Sequence, residues 1–284
     1  MKTLRAVGTC IIFVFVLGLA FSLSAQQLYI SNENQHSLQL LNIPANQLTT
    51  LYEVAGNPDD LTLNSQGQLI YTVPAAGTVN LWDPTTQVNT VLVSNLKWAR
   101  DLYIEPGGKT MLIAIYSPGG IVRYNFAAKT TATLVKKIGT CDGITYDPYG
   151  NLYAVANHNT IIQINPTTGA ILKTLVLEPH VGINGGDGLT YDSYTRSLWA
   201  THDGTTGNGL LQIPVTKSGF TAGGFTFFPQ PSLSSPDGIK SDGKGNLYIG
   251  AVWNAAVYNI PTNRITYSIV TKGADGVALV PGTY

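Results

Sequence analysis

The sequence predicts an all-β fold, a six-bladed β-propeller closed into a ring, and a repeated phrase is the first observation that predicts it. The phrase reads Asp-Gly, an apolar stretch, a turn, and then Leu-Tyr or Leu-Trp; its clearest copies are DGITYDPYGNLYAVA, DGLTYDSYTRSLWAT and DGIKSDGKGNLYIGA. With weaker copies included, the phrase begins at intervals of 38 to 50 residues, at Asp60, Asp101, Asp142, Asp187, Asp237 and Asp275. A period of about 40 residues with strand-like content is typical of propeller blades of about four strands each.

The two ends of the chain are the second observation. Only one predicted strand, 277–280, follows Asp275, whereas the N-terminal part supplies three predicted strands, 28–31, 38–41 and 48–54, with no phrase before them. One strand and three strands together make one blade. We therefore predict that the C-terminal strand joins the three N-terminal strands, which closes the ring and gives six blades.

Residues 142–177 show how one blade is built. Short runs rich in Ile, Val, Leu, Tyr and Thr alternate with Pro, Gly and Asn turns, which is the pattern of antiparallel strands. The predicted strands are 143–146, 152–156, 160–164 and 170–177. In a propeller the first strand of each blade lines the central channel, so the repeated acids are predicted to converge on one rim of that channel, beside the loops between second and third strands.

A second periodic feature accompanies the six repeated acids: aromatic residues recur near the ends of the predicted second strands. Because these aromatic residues occupy equivalent positions, we predict that they fill the core between blades. They are Tyr71, Tyr153, Trp199 and Tyr248.

Residues 1–25 have the order of a secretory signal. Two positive charges precede an apolar run over 11–21, and small residues follow at Ser22, Ser24 and Ala25. We predict cleavage here, a single propeller domain over 26–284, and a secreted protein (periplasmic in a Gram-negative bacterium) with no membrane attachment after cleavage. The alternative, an uncleaved membrane anchor, is disfavoured because the apolar run is short for a span of about 20 residues.

Composition excludes some partners. The formal net charge is zero and 11% of residues are charged, so no basic surface for nucleic acid is expected. Cys141 is the only cysteine outside the signal segment, so no internal disulfide can form, and we expect a buried structural thiol. A small-molecule substrate or an extracellular ligand is the expected partner, and nothing in the sequence specifies the oligomeric state.

The repeated acids have two interpretations. Several could share a hard cation such as Ca²⁺, which takes six to eight oxygen ligands. Alternatively, each Asp accepts backbone N–H bonds from its own turn or from the neighbouring blade, while glycine lets the inner strands pack closely. The four histidines fall in predicted rim loops without the spacing of a zinc site, and are expected at most to contact substrate or shuttle a proton: His36, His158, His180 and His202.

The phrases around Asp142, Asp187 and Asp237 resemble those of the gluconolactonase and senescence-marker-protein family of six-bladed propellers, within the strictosidine-synthase-like superfamily. The repeat is also similar to generic NHL-type propeller repeats. SPDGIKSDGKGNLYIGA resembles the family phrase whose Asp is a metal ligand and the base, which implies both roles for Asp237. The resemblance further implies that Asp187 and Asp60 are metal ligands where the family has Asn and Glu, and that Asp142 stands where the family has a substrate-side Asn.

The resemblance implies a divalent-metal-dependent hydrolase of a small lactone or ester. Asp60, Asp187 and Asp237 would hold the ion, expected to be Ca²⁺, and Asp237 would assist proton transfer. Asp142, His180 and His202 would line the substrate pocket. The alternative is a non-catalytic propeller whose rim binds a protein or carbohydrate partner, in which case the acids only tie the blades together.

Overall fold

The computed structural model describes residues 26–96, 98–177, 186–204, 207–221 and 224–283, and the predicted signal segment lies outside them. Every regular element in these ranges is a β-strand. Nowhere in them is there a helix with the length and apolar character that crossing a membrane requires.

The strands form six antiparallel sheets, which we number blades 1 to 6 in chain order. Blade 1 contains β1 (Gln27–Asn32), β2 (Ser37–Asn42) and β3 (Gln47–Glu53). Blade 2 contains β4 (Leu61–Leu63), β5 (Leu69–Val73), β6 (Thr78–Trp82) and β7 (Asn89–Val93). Blade 3 contains β8 (Ala99–Ile104), β9 (Thr110–Ile115), β10 (Gly120–Asn125) and β11 (Thr130–Lys136).

Blade 4 contains β12 (Cys141–Tyr146), β13 (Leu152–Ala156), β14 (Thr160–Ile164) and β15 (Ile171–Val176). Blade 5 contains β16 (Gly186–Asp192), β17 (Ser197–His202), β18 (Gly209–Thr216), β19 (Gly219–Phe220) and β20 (Thr226–Pro229). Blade 6 contains β21 (Pro236–Ser241), β22 (Asn246–Ala251), β23 (Asn254–Asn259) and β24 (Arg264–Val270), and the last strand of the chain is β25 (Ala274–Leu279).

The last strand closes the ring. β25 pairs antiparallel with β1, so that Tyr29 lies opposite Ala278 and Ile30 opposite Val277. Blade 1 is therefore ordered β25-β1-β2-β3, one C-terminal strand with three N-terminal strands. The predicted fold class, blade number and mode of closure are confirmed.

The core lies between neighbouring blades. Apolar side chains of adjacent sheets pack into clusters that each draw on two blades, such as the one joining Leu112 and Ala114 of blade 3 to Ile144 and Ile162 of blade 4. The four aromatic residues predicted to fill this core are each at most 1% exposed. Cys141 is a free and fully buried thiol, also as predicted.

A β-bulge near the start of five of the six first strands sets the register of the repeated phrase. In blade 4, Cys141 pairs with Ala156 and Ile144 pairs with Ala154, so three steps along β12 match two along β13. The same shift occurs in β8, β16, β21 and β25. Each bulge contains two residues, and the side chain of the apolar residue that follows them packs in the core.

This register corrects the predicted match between copies. When the apolar residues Leu61, Leu102 and Ile144 are superimposed, the acid of the Asp-Gly pair corresponds to Asp59 in blade 2 and to Arg100 in blade 3. Asp60 and Asp101 instead take the place of the glycines. Matching the copies by their acids was wrong there because the apolar residue, not the acid, fixes the register.

The glycines of the phrase are required by close approach of the next blade. A Cβ on Gly188 would lie 2.2 Å from the carbonyl oxygen of Asp237, and one on Gly143 would lie 2.4 Å from that of Asp187. Neither glycine has a left-handed backbone, so contact alone imposes the requirement. The glycines let the first strands converge around the channel.

We expect Gly188→Ala to lower the free energy of unfolding by about 3 kcal/mol, because backbone of blade 6 has to move to admit the methyl group. Gly224→Ala is the matched control, since the nearest atom to its added Cβ is 3.9 Å away. Urea unfolding of both variants checks this prediction. Equal stabilities would show that the inner strands are not packed against each other as described.

Candidate metal centre at the channel mouth

Six equivalent positions, one from each blade, form a ring of side chains around the mouth of the central channel. We call this set the mouth ring: Asp59, Arg100, Asp142, Asp187, Asp237 and Asp275. These residues line one cavity, whose volume is about 20 Å³. Five carboxyl groups and a single guanidinium therefore face a shared volume.

Asp60 and Asp101 line the same cavity, at the position that glycine holds in the other blades, and they connect neighbouring blades. Asp60 Oδ2 accepts a hydrogen bond from the backbone N–H of Leu102 at 3.0 Å, and Asp101 Oδ2 accepts one from Ile144 at 2.5 Å. Lys240 Nζ lies 3.6 Å from Asp101 Oδ1 and offsets this pair of charges. Each carboxylate thus takes the space that glycine leaves in the other blades and ties its blade to the next.

Arg100 neutralises one side of the mouth ring. Its guanidinium forms an ion pair with Asp59 and lies 5.1 Å from the centroid of the Tyr116 ring. Burial raises the pKa of Asp59 well above its ordinary value, and the charge of Arg100 opposes that shift. The positive charge of the ring is therefore concentrated beside Tyr116.

His158 joins two acids of the mouth ring. Its Nδ1 atom lies 3.1 Å from Asp187 Oδ1 and 3.5 Å from Asp142 Oδ2. Among the residues that the structure describes, these three form the group whose ligand atoms all lie within 4.8 Å of one another. The hydrogen bond to Asp187 is the largest of the causes that raise the pKa of His158.

The local fold explains why His158 reaches this position. It sits in the turn between β13 and β14 with a left-handed backbone (φ 57°), which histidine adopts more readily than most residues. The carbonyl oxygen of His158 accepts a hydrogen bond from the N–H of Gly186 at 2.6 Å, directly before Asp187. The turn of blade 4 is thereby attached to the first strand of blade 5.

Asp142 carries an unsatisfied atom. The residue is 8% exposed, and its Oδ2 atom is buried with no hydrogen-bond partner in the described structure. Burial raises the pKa of Asp142 to about 8, the charge of Asp187 adds to the rise, and His158 opposes it. A buried acceptor without a donor is costly, and a cation at this point would satisfy it.

Asp237 and Asp275 form a hydrogen-bonded pair of carboxyl groups on the other side of the ring. Burial raises the pKa of Asp237 to about 7, and the charge of Asp187 contributes. Burial, followed by repulsion from Asp237, raises the pKa of Asp275 well above its ordinary value. A proton on Asp275 can therefore be donated to Asp237, whose own pKa lies near neutral pH.

The remaining predicted site residues are placed as follows. His202 is fully buried at the end of β17, where its ring packs edge-on against Phe227 at 5.3 Å between centroids. His180 lies outside the described residues. Asp60, predicted as a metal ligand with Asp187 and Asp237, lines the same cavity as those two residues, and the charge of Lys240 acts on it.

Sequence reasoning missed Asp59, Tyr116, and His158 as a member of the acid cluster. It identified Arg100 as a charge that could offset the acids, but did not assign it to the ring position of blade 3. Asp59 and Arg100 could have been found by superimposing the copies on their apolar residues. His158 was assigned to the rim, but its pairing with acids of two blades depends on the spacing between sheets. Tyr116, whose hydroxyl lies 3.2 Å from His158 Nε2, carried no signal in the sequence.

The raised pKa of Asp275 gives a testable dependence of stability on pH in metal-free protein. The folded state keeps a proton that the unfolded chain releases above pH of about 4, so the free energy of unfolding falls as pH rises above that value. We expect Asp275→Asn, which keeps a donor to Asp237, to be about 2 kcal/mol more stable than wild type at pH 8.5 and to show a shallower pH dependence.

Thermal melting between pH 5 and 9 in the presence of a chelator measures both effects. Asp242→Asn is the control, because Asp242 lies in the turn between β21 and β22 on the opposite rim and should follow the wild-type profile. A wild-type protein that gains stability from pH 5 to 8.5 would contradict the prediction.

Solved structures share this architecture at low sequence identity. A chain in a nidogen/laminin complex superimposes with a TM-score of 0.73 and 13% identity, over 92% of this chain and 100% of that one. A gluconolactonase from Xanthomonas campestris gives 0.69 and 12%, over 88% and 86%. Virginiamycin B lyase from Staphylococcus aureus gives 0.62 and 17%, over 89% and 88%.

No protein-family model matches the chain, and no curated protein sequence matches it either. At identities of 12 to 17% the structural likeness shows the fold alone. The molecule is a six-bladed β-propeller with an acidic channel mouth. The fold that the resemblance to gluconolactonase-like propellers implied is confirmed.

Proposed function

We propose that the channel mouth binds a divalent metal ion and hydrolyses a small lactone or ester. The observation that carries the proposal is the buried, unsatisfied Oδ2 atom of Asp142, which faces His158 Nδ1 beside Asp187. These three residues fit a metal ion, because they offer two carboxylates and an imidazole from a concave, partly enclosed site. The bound ion would supply Lewis acidity toward the substrate carbonyl and toward water.

The other residues of the mouth ring fit the acid–base work of hydrolysis. Asp237 has a pKa of about 7, which suits a general base at neutral pH. Asp275 orients that carboxylate through its hydrogen bond. Arg100 is positioned to stabilise negative charge that develops on the substrate, since its guanidinium faces the same cavity.

The fold gives this proposal a precedent without proving it. A gluconolactonase is among the solved structures that share the architecture, but fold alone does not determine activity. The site of this chain also has its own composition: seven aspartates, Arg100 and Lys240 line the cavity, and His158 lies beside two of the aspartates. The carboxyl pair of Asp237 and Asp275 and the cluster around His158 are therefore the basis for the proposed substrate class.

A panel of γ- and δ-lactones and short-chain aryl esters tests the proposal directly. The protein is stripped with a chelator, then assayed alone and after addition of Zn²⁺, Mn²⁺, Mg²⁺ or Ca²⁺. We expect turnover that the chelator abolishes and at least one ion restores. Absence of turnover of every substrate by a folded, metal-loaded protein would contradict the hydrolase and favour the alternative.

That alternative is a non-catalytic propeller whose rim binds a protein or carbohydrate. The hydrogen bonds that Asp60 and Asp101 accept from backbone N–H groups of the next blade support it, because they give these two acids a role in connecting blades. A chain of the nidogen/laminin complex shares the fold, which again shows architecture and not partner. In this case the metal would stabilise the rim without supporting turnover.

Export remains part of the proposal, on the basis of residues 1–25 alone. N-terminal sequencing of protein collected outside the expressing cytoplasm tests it. We expect the mature chain to begin at or next to residue 26. A chain that retains its apolar segment in the membrane fraction would contradict cleavage.

A further inference from the structure

The cluster around His158 mixes nitrogen and oxygen donors. Calcium binds six to eight oxygen ligands and uses carboxylates, carbonyls and water. Imidazole is instead a ligand for zinc, copper, iron and nickel. His158 Nδ1 lies between the carboxylate oxygens of Asp142 and Asp187, so an ion that these oxygens share would also meet the nitrogen.

The other nitrogen of His158 is also engaged. Its Nε2 atom lies 3.2 Å from the hydroxyl oxygen of Tyr116, and the two rings are 5.5 Å apart between centroids. If Nε2 keeps its proton and donates it to Tyr116, Nδ1 presents its lone pair toward Asp142 and Asp187. Such outer partners fix the tautomer and orientation of ligating histidines.

Tyr116 is itself held in place. The guanidinium of Arg100 lies over its ring at 5.1 Å, and its backbone N–H donates to the carbonyl oxygen of Trp98 at 2.8 Å. Both contacts attach Tyr116 to the start of β8, which carries Arg100, the mouth-ring residue of blade 3. The orientation of His158 is thus set by a residue of the neighbouring blade.

We propose that the site at Asp142, His158 and Asp187 selects a transition-metal ion of the Zn²⁺ type over Ca²⁺, and that Tyr116 is the positioning residue for His158. The inference rests on the proposed function for the presence of a metal site, and it identifies the class of ion. It replaces the expectation of calcium, which followed from a set of carboxylates only. The buried Oδ2 atom of Asp142, without a hydrogen-bond donor, is the second ligand atom that the ion would satisfy.

Direct metal binding tests this inference independently of activity. Metal-free full-length mature protein competes with a chromogenic chelator for Zn²⁺, and Ca²⁺ binding is measured by calorimetry under the same conditions. We expect Zn²⁺ to bind at least about 100-fold more tightly than Ca²⁺. We expect His158→Ala to weaken Zn²⁺ binding by about 100-fold and Tyr116→Phe by about 10-fold.

His36→Ala is the matched control, because His36 is an exposed histidine with a left-handed backbone in the corresponding turn of blade 1. It should bind Zn²⁺ as wild type does. The visible spectrum of Co²⁺-loaded protein gives a further readout, which should change in His158→Ala and keep its shape in His36→Ala. If His158→Ala does not fold, His158→Gln replaces it.

Tighter binding of Ca²⁺ than of Zn²⁺, or Zn²⁺ binding that survives both His158 variants, would overturn the inference. Zn²⁺ binding that Tyr116→Phe leaves unchanged would overturn the role of Tyr116. Turnover supported by Ca²⁺ alone would remove this inference and leave the hydrolase standing. Zn²⁺ bound as described without any turnover would remove the hydrolase and leave this inference standing.

Discussion

Replacing Asp237 by Asn is expected to lower the rate of lactone or ester hydrolysis by about 100-fold or more, because a positioned general base contributes about 10² to 10⁴. Asparagine has nearly the same shape and can still hydrogen-bond to Asp275, so the change removes the proton acceptor with little change in packing. Since the pKa of Asp237 is raised to about 7, the wild-type rate should increase as pH rises through that value. The profile of the variant should be flat there.

Initial rates across pH 5 to 9 measure this effect in Asp237→Asn, with Asp242→Asn as the control. Asp242 belongs to the same blade but holds the β21–β22 turn on the opposite rim, where its Oδ1 accepts a hydrogen bond from Lys244 N–H at 2.7 Å. The control should retain wild-type activity. A comparable loss in both variants, or an unchanged rate in Asp237→Asn, would remove Asp237 from the reaction.

Removing the C-terminal strand is expected to have the largest effect on folding. A chain that stops after Thr271 lacks β25, which pairs with β1 and contributes the fully buried Val277 and the nearly buried Ala274. Blade 1 would lose its first strand and the ring its closure, which leaves the edge of β1 unpaired. We expect insoluble protein or loss of the cooperative thermal transition.

A chain that stops at Pro281 is the control, because it keeps all of β25 and loses only the last turn. It gives up the hydrogen bond from Gln27 N–H to Thr283 Oγ1 at 3.2 Å, so we expect a loss of about 1 kcal/mol. Differential scanning calorimetry compares the two chains. A cooperative transition near the wild-type temperature in the shorter chain would show that closure by β25 is not required.

The architecture could be predicted from sequence because it follows from a repeated local pattern. Each blade repeats the same apolar alternation and turn residues. The C-terminal end supplies one strand and the N-terminal end three strands, which together make one blade. These features depend on neighbouring residues along the chain, which a single sequence displays directly. The aromatic core positions Tyr71 and Trp199 followed from the same periodicity and are fully buried.

The site could be predicted only in part. The sequence identified the rim and most of its acids, but it assigned Asp60 and Asp101 to positions that Asp59 and Arg100 hold. The cause is the β-bulge, which places two residues where a regular strand would place one. In the two variant copies both residues before the apolar residue are charged, so the acid alone does not reveal which of them belongs to the mouth ring.

The partners of His158 could not be derived from spacing along the chain. Its contacts to Asp142, Asp187 and Tyr116 join blades 3, 4 and 5, and the distances depend on how closely the sheets pack. The glycines that permit this packing were recognised. The position that this packing gives to the His158 side chain could be seen only in the three-dimensional structure.

Anomalous X-ray diffraction from crystals of the protein soaked in Zn²⁺ tests the central claim most directly. Data collected above and below the zinc absorption edge locate the ion without any assumption about activity. We predict a single strong anomalous peak at the channel mouth, within coordination distance of Asp142, His158 and Asp187. No peak in the channel, or a peak coordinated by other acids of the mouth ring with His158 turned away, would contradict the account.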